Sequence, residues 1–236
     1  MTRDDAARRL LCAVDTTDLG EAGALAAALK GHISALKLGL EFFCAHGPQG
    51  VRQVVGDQHG LFLDLKLHDI PNTVAGGLRG IAPIGPFLTT IHTSGGAGMM
   101  RAAMDAAAEA GADRPKVVAV TTLTSMDDSD LDDVGMKGPV ADQVLRLADL
   151  AQSTGVDGVV CSAHETRRLR GHCGPDFLLV VPGIRPVWAS TDDQKRIMTP
   201  GEAIDAGASY LVVGRPITRA DDPAEAADRI IEDMAG

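Results

Sequence analysis

The sequence predicts a single (β/α)8 barrel that spans residues 1–236. Short apolar runs alternate with longer, often alanine-rich segments along the whole chain, eight of each. The apolar runs are continuous rather than interrupted at every second residue, as is usual for parallel strands covered on both faces. No linker-like or low-complexity stretch divides the 236 residues, and α/β barrels commonly have this length.

Each predicted strand is a run of four or five largely apolar residues. In chain order the strands are Leu10–Val14, Ala35–Leu38, Leu61–Leu65, Leu88–His92, Val117–Thr121, Gly158–Cys161, Leu178–Val181 and Tyr210–Val213. The segments between them carry helical patterns. These predicted helices are Leu19–Lys30, Gly47–Val55, Thr73–Ile81, Gly98–Ala110, Val140–Ser153, His164–Arg170, Pro200–Ala206 and Pro223–Met234. Strict alternation of eight strands with eight helices favours a closed barrel.

A doubly wound open sheet is the alternative architecture. It would be expected to carry a glycine-rich dinucleotide loop after its first strand, where this chain has Asp15-Thr16-Thr17-Asp18 instead. Glycines 95, 96 and 98 follow the fourth strand and leave two interpretations open, a phosphate cradle or an ordinary turn into the next helix.

Composition excludes several partners. The formal net charge is -10 and no dense Lys/Arg face is apparent, so we expect no binding to nucleic acid. Aromatic residues make up only 3% of the chain, which is unfavourable for stacking on single-stranded bases. A small anionic ligand needs only one local cluster of donors and stays compatible with this charge.

Cysteine usage and hydropathy predict a cytoplasmic protein. The four cysteines are scattered without C-x-x-C or zinc spacing, as expected of reduced thiols (Cys12, Cys44, Cys161 and Cys173). The first nine residues are charged and lead directly into a strand, unlike a signal peptide. No uncharged apolar run approaches 18 residues, so we expect no membrane span.

The carboxyl ends of the predicted strands carry polar residues, and that end of a barrel holds the active site. Asp15 follows the first strand, Lys37 lies on the second, and Asp64 and Lys66 end the third. Alternate residues of a strand share a face, so Asp64 and Lys66 are predicted to point the same way. They form either a structural ion pair or part of a neutral, preorganised array that acts on a substrate.

A phosphate site is predicted after the last two strands. Gly214 permits close approach of the backbone and Arg215 adds a fork of donors. The loop from Pro182 to Arg196 could close over the site and bring Arg185 or Gln194 to the same phosphate. An ordinary turn with a surface arginine and a disordered loop are the alternatives. We find no metal-binding set of side chains and no nucleophilic serine motif.

The segment Asp64-Leu65-Lys66-Leu67-His68-Asp69-Ile70-Pro71-Asn72-Thr73 is the most specific motif of the chain. With it, the chain closely resembles the orotidine 5′-phosphate decarboxylase family over essentially its whole length. The other motifs that carry the resemblance are Asp15, Lys37, Leu123-Thr124-Ser125, Pro182-Gly183-Ile184-Arg185, Gln194 and Gly214-Arg215. Leu67 and Val181 depart from the phenylalanine and threonine frequent in the family, at uncharged positions.

The resemblance implies an enzyme that converts orotidine 5′-monophosphate to UMP without cofactor or metal. It implies that Lys66 protonates C6 of the pyrimidine and that Asp64 lies against the departing carboxylate. Lys37 would hold Asp64 and a ribose hydroxyl, and Asp15 the ribose. Further substrate-binding residues would be Thr124 or Ser125 at the base, Pro182, and the phosphate clamp of Arg185, Gln194, Gly214 and Arg215. Asp69, Ile70 and Thr73 would reach the partner's site in a homodimer.

Two other functions stay open at this point. One is a sugar-phosphate decarboxylase with the same barrel and the same Asp-x-Lys-x-x-Asp motif, which uses Mg²⁺ to hold an enediolate. The other is a catalytically silent nucleotide-binding barrel, which would require a broken charge array. Asp15, Lys37, Asp64, Lys66 and Asp69 are all present, and this favours the nucleotide decarboxylase.

Overall fold

The computed structural model describes residues 1–189 and 198–236 and contains a closed, parallel eight-stranded barrel. Neighbours in sequence are neighbours in space, and β8 pairs with β1 to close the sheet. The strands are β1 Leu10–Val14, β2 Ala35–Gly39, β3 Gly60–Leu67, β4 Leu88–His92, β5 Lys116–Val120, β6 Gly158–Val160, β7 Leu178–Pro182 and β8 Tyr210–Val213. The predicted fold class is therefore confirmed, and closure excludes the open doubly wound sheet.

Helices surround the barrel. Within the described residues they are α1 Arg3–Ala7, α2 Leu19–Ala28, α3 Leu40–Val55, α4 Pro71–Ile81, α5 Gly96–Ala108, α6 Asp128–Asp133, α7 Val140–Ser153, α8 Ala163–Cys173, α9 Pro200–Asp205, α10 Arg215–Thr218 and α11 Pro223–Ala235. Short 3-10 turns follow α4, β4 and α5. Across the part of the chain that the structure describes, every helix is too short or too polar to span a bilayer.

Two apolar layers hold the barrel together. The strand faces that point inward fill the barrel with a small cluster of buried residues, namely Leu11, Ala13, Ala35, Phe62, Leu88, Val118, Val180 and Val212. The opposite faces pack against the helices in the larger core, to which Leu36, Leu63 and Ile230 belong. Burial of both faces explains why the strands appear as continuous apolar runs in the sequence.

The observed helices differ from the predicted ones at a bend in α3 and at three very short helices. The helix predicted from Gly47 to Val55 begins earlier, at Leu40, and is bent at Gly47, which has a φ of 59°. Glycine tolerates this left-handed conformation and Pro48 suits the first turn that follows. The short helices α1, α6 and α10 were not predicted, because four to six residues are too few for a periodic pattern.

Glycines 95 and 96 form the turn between β4 and α5, as in the second of the two interpretations. A Cβ atom at Gly95 would collide with the side chain of Met99. Gly96 has a φ of 81°, a conformation that favours glycine. Packing and backbone geometry thus account for these glycines.

Candidate active site

The carboxyl ends of the strands surround a cavity of about 310 Å³. Its floor is apolar and includes Phe62, Val160 and Val180. Its polar and glycine lining comes from the ends of six strands, or the segments after them, and consists of Asp15, Lys37, Asp64, Lys66, Thr124, Pro182, Gly183, Arg185, Gly214 and Arg215. The structure therefore brings together most of the residues that the sequence predicted for the site.

Charges alternate along one wall of the cavity. Lys66 Nζ lies 2.7 Å from Asp64 Oδ2, and Lys37 Nζ lies 3.8 Å from the same oxygen. Lys37 Nζ also lies 3.1 Å from Asp15 Oδ1. The two ammonium groups and two carboxylates cancel in formal charge. Each charged group also contacts one of opposite sign, which holds it in place.

Asp64 is the buried centre of this array, with 7% of its surface exposed. Burial raises the pKa of Asp64, but the charges of Lys37 and Lys66 and the hydrogen bonds from Lys66 and Thr90 outweigh it. The pKa of Asp64 is thereby lowered. The carboxyl group is consequently ionised at neutral pH.

The backbone of β3 is irregular where it carries these charges. Leu63 pairs with Thr89 and Leu67 with Ile91, so three residues of β3 lie opposite one residue of β4, Thr90. Such a bulge bends a strand and re-aims its side chains. Lys66 has a φ of 51° and is the one non-glycine residue of the described chain with a positive φ.

Thr90 contacts two residues of the charged array and was not among the predicted site residues. Its hydroxyl donates to Asp64 Oδ1 at 2.9 Å and accepts from the Lys66 N–H at 2.8 Å. The available signal was strand parity, since Leu88 lies inside the barrel and Thr90 follows it by two residues on β4.

Positively charged residues line the opposite side of the cavity. β7 is four strands away from β3 in the closed order, so the segment after it faces β3 across the barrel. Arg185, with 6% of its surface exposed, follows β7, and Arg215 follows β8. Gly183 and Gly214 lie beside these arginines and line the cavity with backbone. This side suits an anionic group.

Two residues predicted for the chain's own site, Ser125 and Gln194, are not among these lining residues. Thr124 lines the cavity. Its neighbour Ser125 is exposed and is not part of the lining formed by the described residues. Gln194 lies outside the described residues. Pro182 lines the cavity as predicted, at the end of β7.

Asp69, Ile70 and Thr73 are exposed on the loop and helix start after β3. Ile70 exposes 67% of its surface, which is a large fraction for an apolar residue. Asp69 Oδ1 accepts a hydrogen bond from the Ile70 N–H at 2.6 Å. None of the three lines the cavity of its own chain within the described residues.

Two histidines stack next to Lys66. The rings of His68 and His92 have centroids 5.3 Å apart. Burial, followed by the charges of His68 and Lys66, lowers the pKa of His92 to about 4, against a smaller opposite effect of Asp64. His92 is therefore neutral at neutral pH. Neither here nor elsewhere in the described residues do three His, Cys, Asp or Glu side chains come close enough to share a metal ion.

Comparison with known families decides how this geometry is classified. Residues 8–230 match the model of the "Orotidine 5'-phosphate decarboxylase / HUMPS family". The chain belongs to this family. The resemblance seen in the sequence motifs is thereby confirmed.

Curated relatives of this family member are similar over nearly their whole length. The orotidine 5'-phosphate decarboxylase of Paramagnetospirillum magneticum is 56% identical over 222 residues, 92% of this chain and 94% of the relative. That of Rhodospirillum rubrum is 54% identical over 229 residues, 95% of this chain and 93% of the relative. The crystal structure of orotidine 5'-phosphate decarboxylase from Lactobacillus acidophilus superimposes with a TM-score of 0.86 at 37% identity, covering 97% of this chain and all of that one.

Proposed function

We propose that this enzyme decarboxylates orotidine 5′-monophosphate to UMP in pyrimidine biosynthesis, without a cofactor, and that Lys66 protonates C6. The observation that carries the proposal is the contact of 2.7 Å between Lys66 Nζ and Asp64 Oδ2 at the cavity wall. Loss of CO₂ breaks the bond to C6 and leaves its electron pair on that carbon. An ammonium group held at this position stabilises the charge and then supplies the proton.

The other charged residues of the array position the Lys66 ammonium group relative to the bound substrate. Asp64 fixes the Lys66 ammonium from one side, and the charges of the two lysines keep Asp64 ionised despite its burial. We assign Lys37 and Asp15 to the ribose hydroxyls, because their ion pair lies at the same wall and the Asp15 side chain is 63% exposed. Preorganised groups of this kind cost no reorganisation when charge develops on the substrate.

The base and the phosphate are assigned to other parts of the lining. Thr124, from the segment after β5, is the candidate for the base. Arg185, Arg215 and the backbone at Gly183 and Gly214 form the candidate phosphate clamp, across the barrel from Lys66. One guanidinium group can donate two parallel hydrogen bonds to a phosphate. Such a contact suits the binding of the substrate's phosphate at a distance from the reacting carbon.

We further propose a homodimer in which Asp69, Ile70 and Thr73 complete the partner's active site. Their exposure outside their own cavity supports this, since contact with a partner would bury the apolar side chain of Ile70, which is 67% exposed in the single chain. Leu40 and Leu123 are further exposed apolar residues, on segments that follow β2 and β5. Asp69 would add a second carboxylate near the partner's Lys66.

A cytoplasmic location is part of the proposal. All four cysteines are free, and Cys44 among them is exposed to solvent. Exposed free thiols are typical of reducing compartments.

The experiment that tests the proposed function is an assay of UMP formation from orotidine 5′-monophosphate by the purified chain, before and after dialysis against a chelator. We expect the same activity in both samples, because ammonium groups occupy the positions next to Asp64 where a metal enzyme would place its cation. Activity that vanished and returned only with Mg²⁺ would instead favour the sugar-phosphate decarboxylase chemistry. Absence of UMP formation in both samples would refute the proposed reaction and leave the sugar-phosphate decarboxylase and the silent nucleotide-binding barrel.

A further inference from the structure

We propose that Thr90 is a positioning residue of the active site, whose hydroxyl fixes both the Asp64 carboxylate and the main chain of Lys66. The inference rests on the proposed function for its meaning in catalysis. Its structural basis is the bulge in β3, where the residues from Asp64 to Lys66 lie opposite Thr90 alone. A regular parallel ladder cannot supply hydrogen-bond partners for all backbone groups of this bulge. The Thr90 side chain supplies one of them, for the N–H of Lys66.

The two hydrogen bonds of Thr90 run in opposite directions. A carboxylate only accepts, so the hydroxyl proton points to Asp64 Oδ1, 2.9 Å away. The hydroxyl lone pair then receives the Lys66 N–H at 2.8 Å. Thr90 is completely buried, so water does not compete for either bond. The Thr90 hydroxyl thus sets the distance between the Asp64 carboxylate and the backbone of Lys66.

The contacts of Asp64 are divided between its two oxygens. Both lysines lie on the Oδ2 side, whereas Thr90 binds Oδ1. Without Thr90 the carboxylate can rotate about its last bond and follow the lysines. Thr90 therefore decides the plane of the carboxylate, and with it the direction from which Lys66 is held.

The Thr90 bond also supports an unfavourable backbone. A non-glycine residue with a left-handed φ persists only where its surroundings hold it. The N–H of Lys66 is directed to Thr90 in that conformation. Loss of the acceptor would favour an ordinary extended backbone at Lys66, which would move the ammonium group away from Asp64.

Thr89 provides a matched control on the same strand. It is also completely buried, and its hydroxyl donates to the backbone oxygen of Leu63 at 2.9 Å. A threonine-to-valine change therefore removes a buried side-chain hydrogen bond at either position. Only the change at Thr90 removes contacts with charged residues of the cavity.

The test compares Thr90→Val, Thr90→Ser and Thr89→Val with the wild type in steady-state kinetics and in UMP binding. We expect Thr90→Val to lower kcat about tenfold to hundredfold, the usual effect of one hydrogen bond to a charged group, with KM and UMP affinity changed less than about threefold. Thr90→Ser keeps the hydroxyl and should recover most of kcat. Thr89→Val should keep kcat within about twofold of wild type even if it unfolds at a lower temperature.

A second readout does not depend on turnover. Carbon NMR of the Asp64 carboxyl group should show its titration midpoint raised in Thr90→Val and unchanged in Thr89→Val, because only Thr90 donates to Asp64. Thr90→Ala replaces Thr90→Val if the valine variant does not fold. An unchanged Asp64 midpoint, an equal loss of kcat in Thr89→Val, or a serine variant as poor as the valine variant would overturn the inference. A wild type that forms no UMP would refute the proposed function alone, and the Asp64 titration would then decide the role of Thr90.

Discussion

Lys66 Nζ lies 2.7 Å from Asp64 Oδ2 although the backbone of Lys66 is left-handed, with a φ of 51°. In a regular strand the two side chains would share a face at a separation of roughly 7 Å along the chain. Here the two residues lie within the bulge of β3, and their charged ends are in contact. A left-handed non-glycine residue costs roughly 1–2 kcal/mol, so the fold holds its reactive ammonium in a conformation that the free chain would avoid.

The first prediction concerns Lys66. Lys66→Ala should lower kcat at least about a thousandfold, because it removes both the proton donor and the positive charge next to C6. Binding of UMP should weaken less than about tenfold, since the arginines and Lys37 remain. Steady-state kinetics and calorimetric titration with UMP measure the two quantities.

Lys116→Ala is the matched control for Lys66→Ala. Lys116 is an exposed lysine at the opposite end of the barrel, where β5 begins, and it lies outside the cavity lining. Its replacement should leave kcat unchanged. A Lys66→Ala enzyme with a kcat close to that of the wild type would remove Lys66 from the mechanism.

The second prediction tests the shared active site. Lys66→Ala and Asp69→Ala chains should each be nearly inactive alone. Mixed and allowed to exchange subunits, they should form heterodimers with one intact site, in which Lys66 of one chain meets Asp69 of the other. Activity per heterodimer should approach about half that of the wild type, because two sites per dimer become one.

Subunit exchange has to be demonstrated in the same mixture, for example by mass spectrometry with one chain isotopically labelled. If heterodimers are present and no activity returns, Asp69 acts within its own subunit and the proposed interface is wrong.

The positions of the strands could be predicted from the sequence, because parallel strands buried on both faces are continuous apolar runs. The charged site could be predicted too, since charged residues such as Asp15 and Lys37 follow or interrupt these apolar runs and the strand ends meet at one barrel mouth. Thr90 could not be predicted as a partner of Asp64. That contact depends on a shift of register between β3 and β4, and register is a relationship between two segments that neither segment encodes alone.

The third prediction concerns pH and the stability of the fold. His92 has a pKa of about 4 in the folded chain and about 6.5 when unfolded. Between these values the unfolded chain binds a proton that the folded chain does not, so the free energy of unfolding falls as the pH is lowered from about 6.5 to about 4. Because the ring is partly exposed to water, we expect a contribution on the order of 1 kcal/mol.

His92→Gln should flatten this part of the stability curve. Urea unfolding of both proteins at about pH 4.5 and about pH 7 measures the difference. Proton NMR of the His92 ring should show a titration midpoint near 4 in the wild type. Parallel curves for the two proteins would mean that His92 titrates alike in the folded and unfolded chains.

The last prediction separates binding of the phosphate from chemistry at C6. Arg215 lines the cavity after β8, apart from the Lys66 wall. A charge-assisted hydrogen bond contributes roughly 1.5–3 kcal/mol, about a tenfold to hundredfold effect on affinity. Arg215→Ala should therefore lower kcat/KM for orotidine 5′-monophosphate by at least that factor, mainly through KM. Part of the loss can fall on kcat, since binding energy from a remote group is used at the reacting carbon.

Orotidine without its phosphate is the discriminating substrate, because it has no group for Arg215 to bind. Wild type and Arg215→Ala should process it with equally low kcat/KM, so the effect of the substitution disappears with the phosphate. Arg219→Ala is the control variant: it removes an exposed arginine one helical turn further on, outside the cavity lining, and should behave as wild type with both substrates. An Arg215→Ala enzyme impaired equally with both substrates would show that Arg215 supports the shape of the barrel mouth, and the phosphate clamp would then have to be assigned without it.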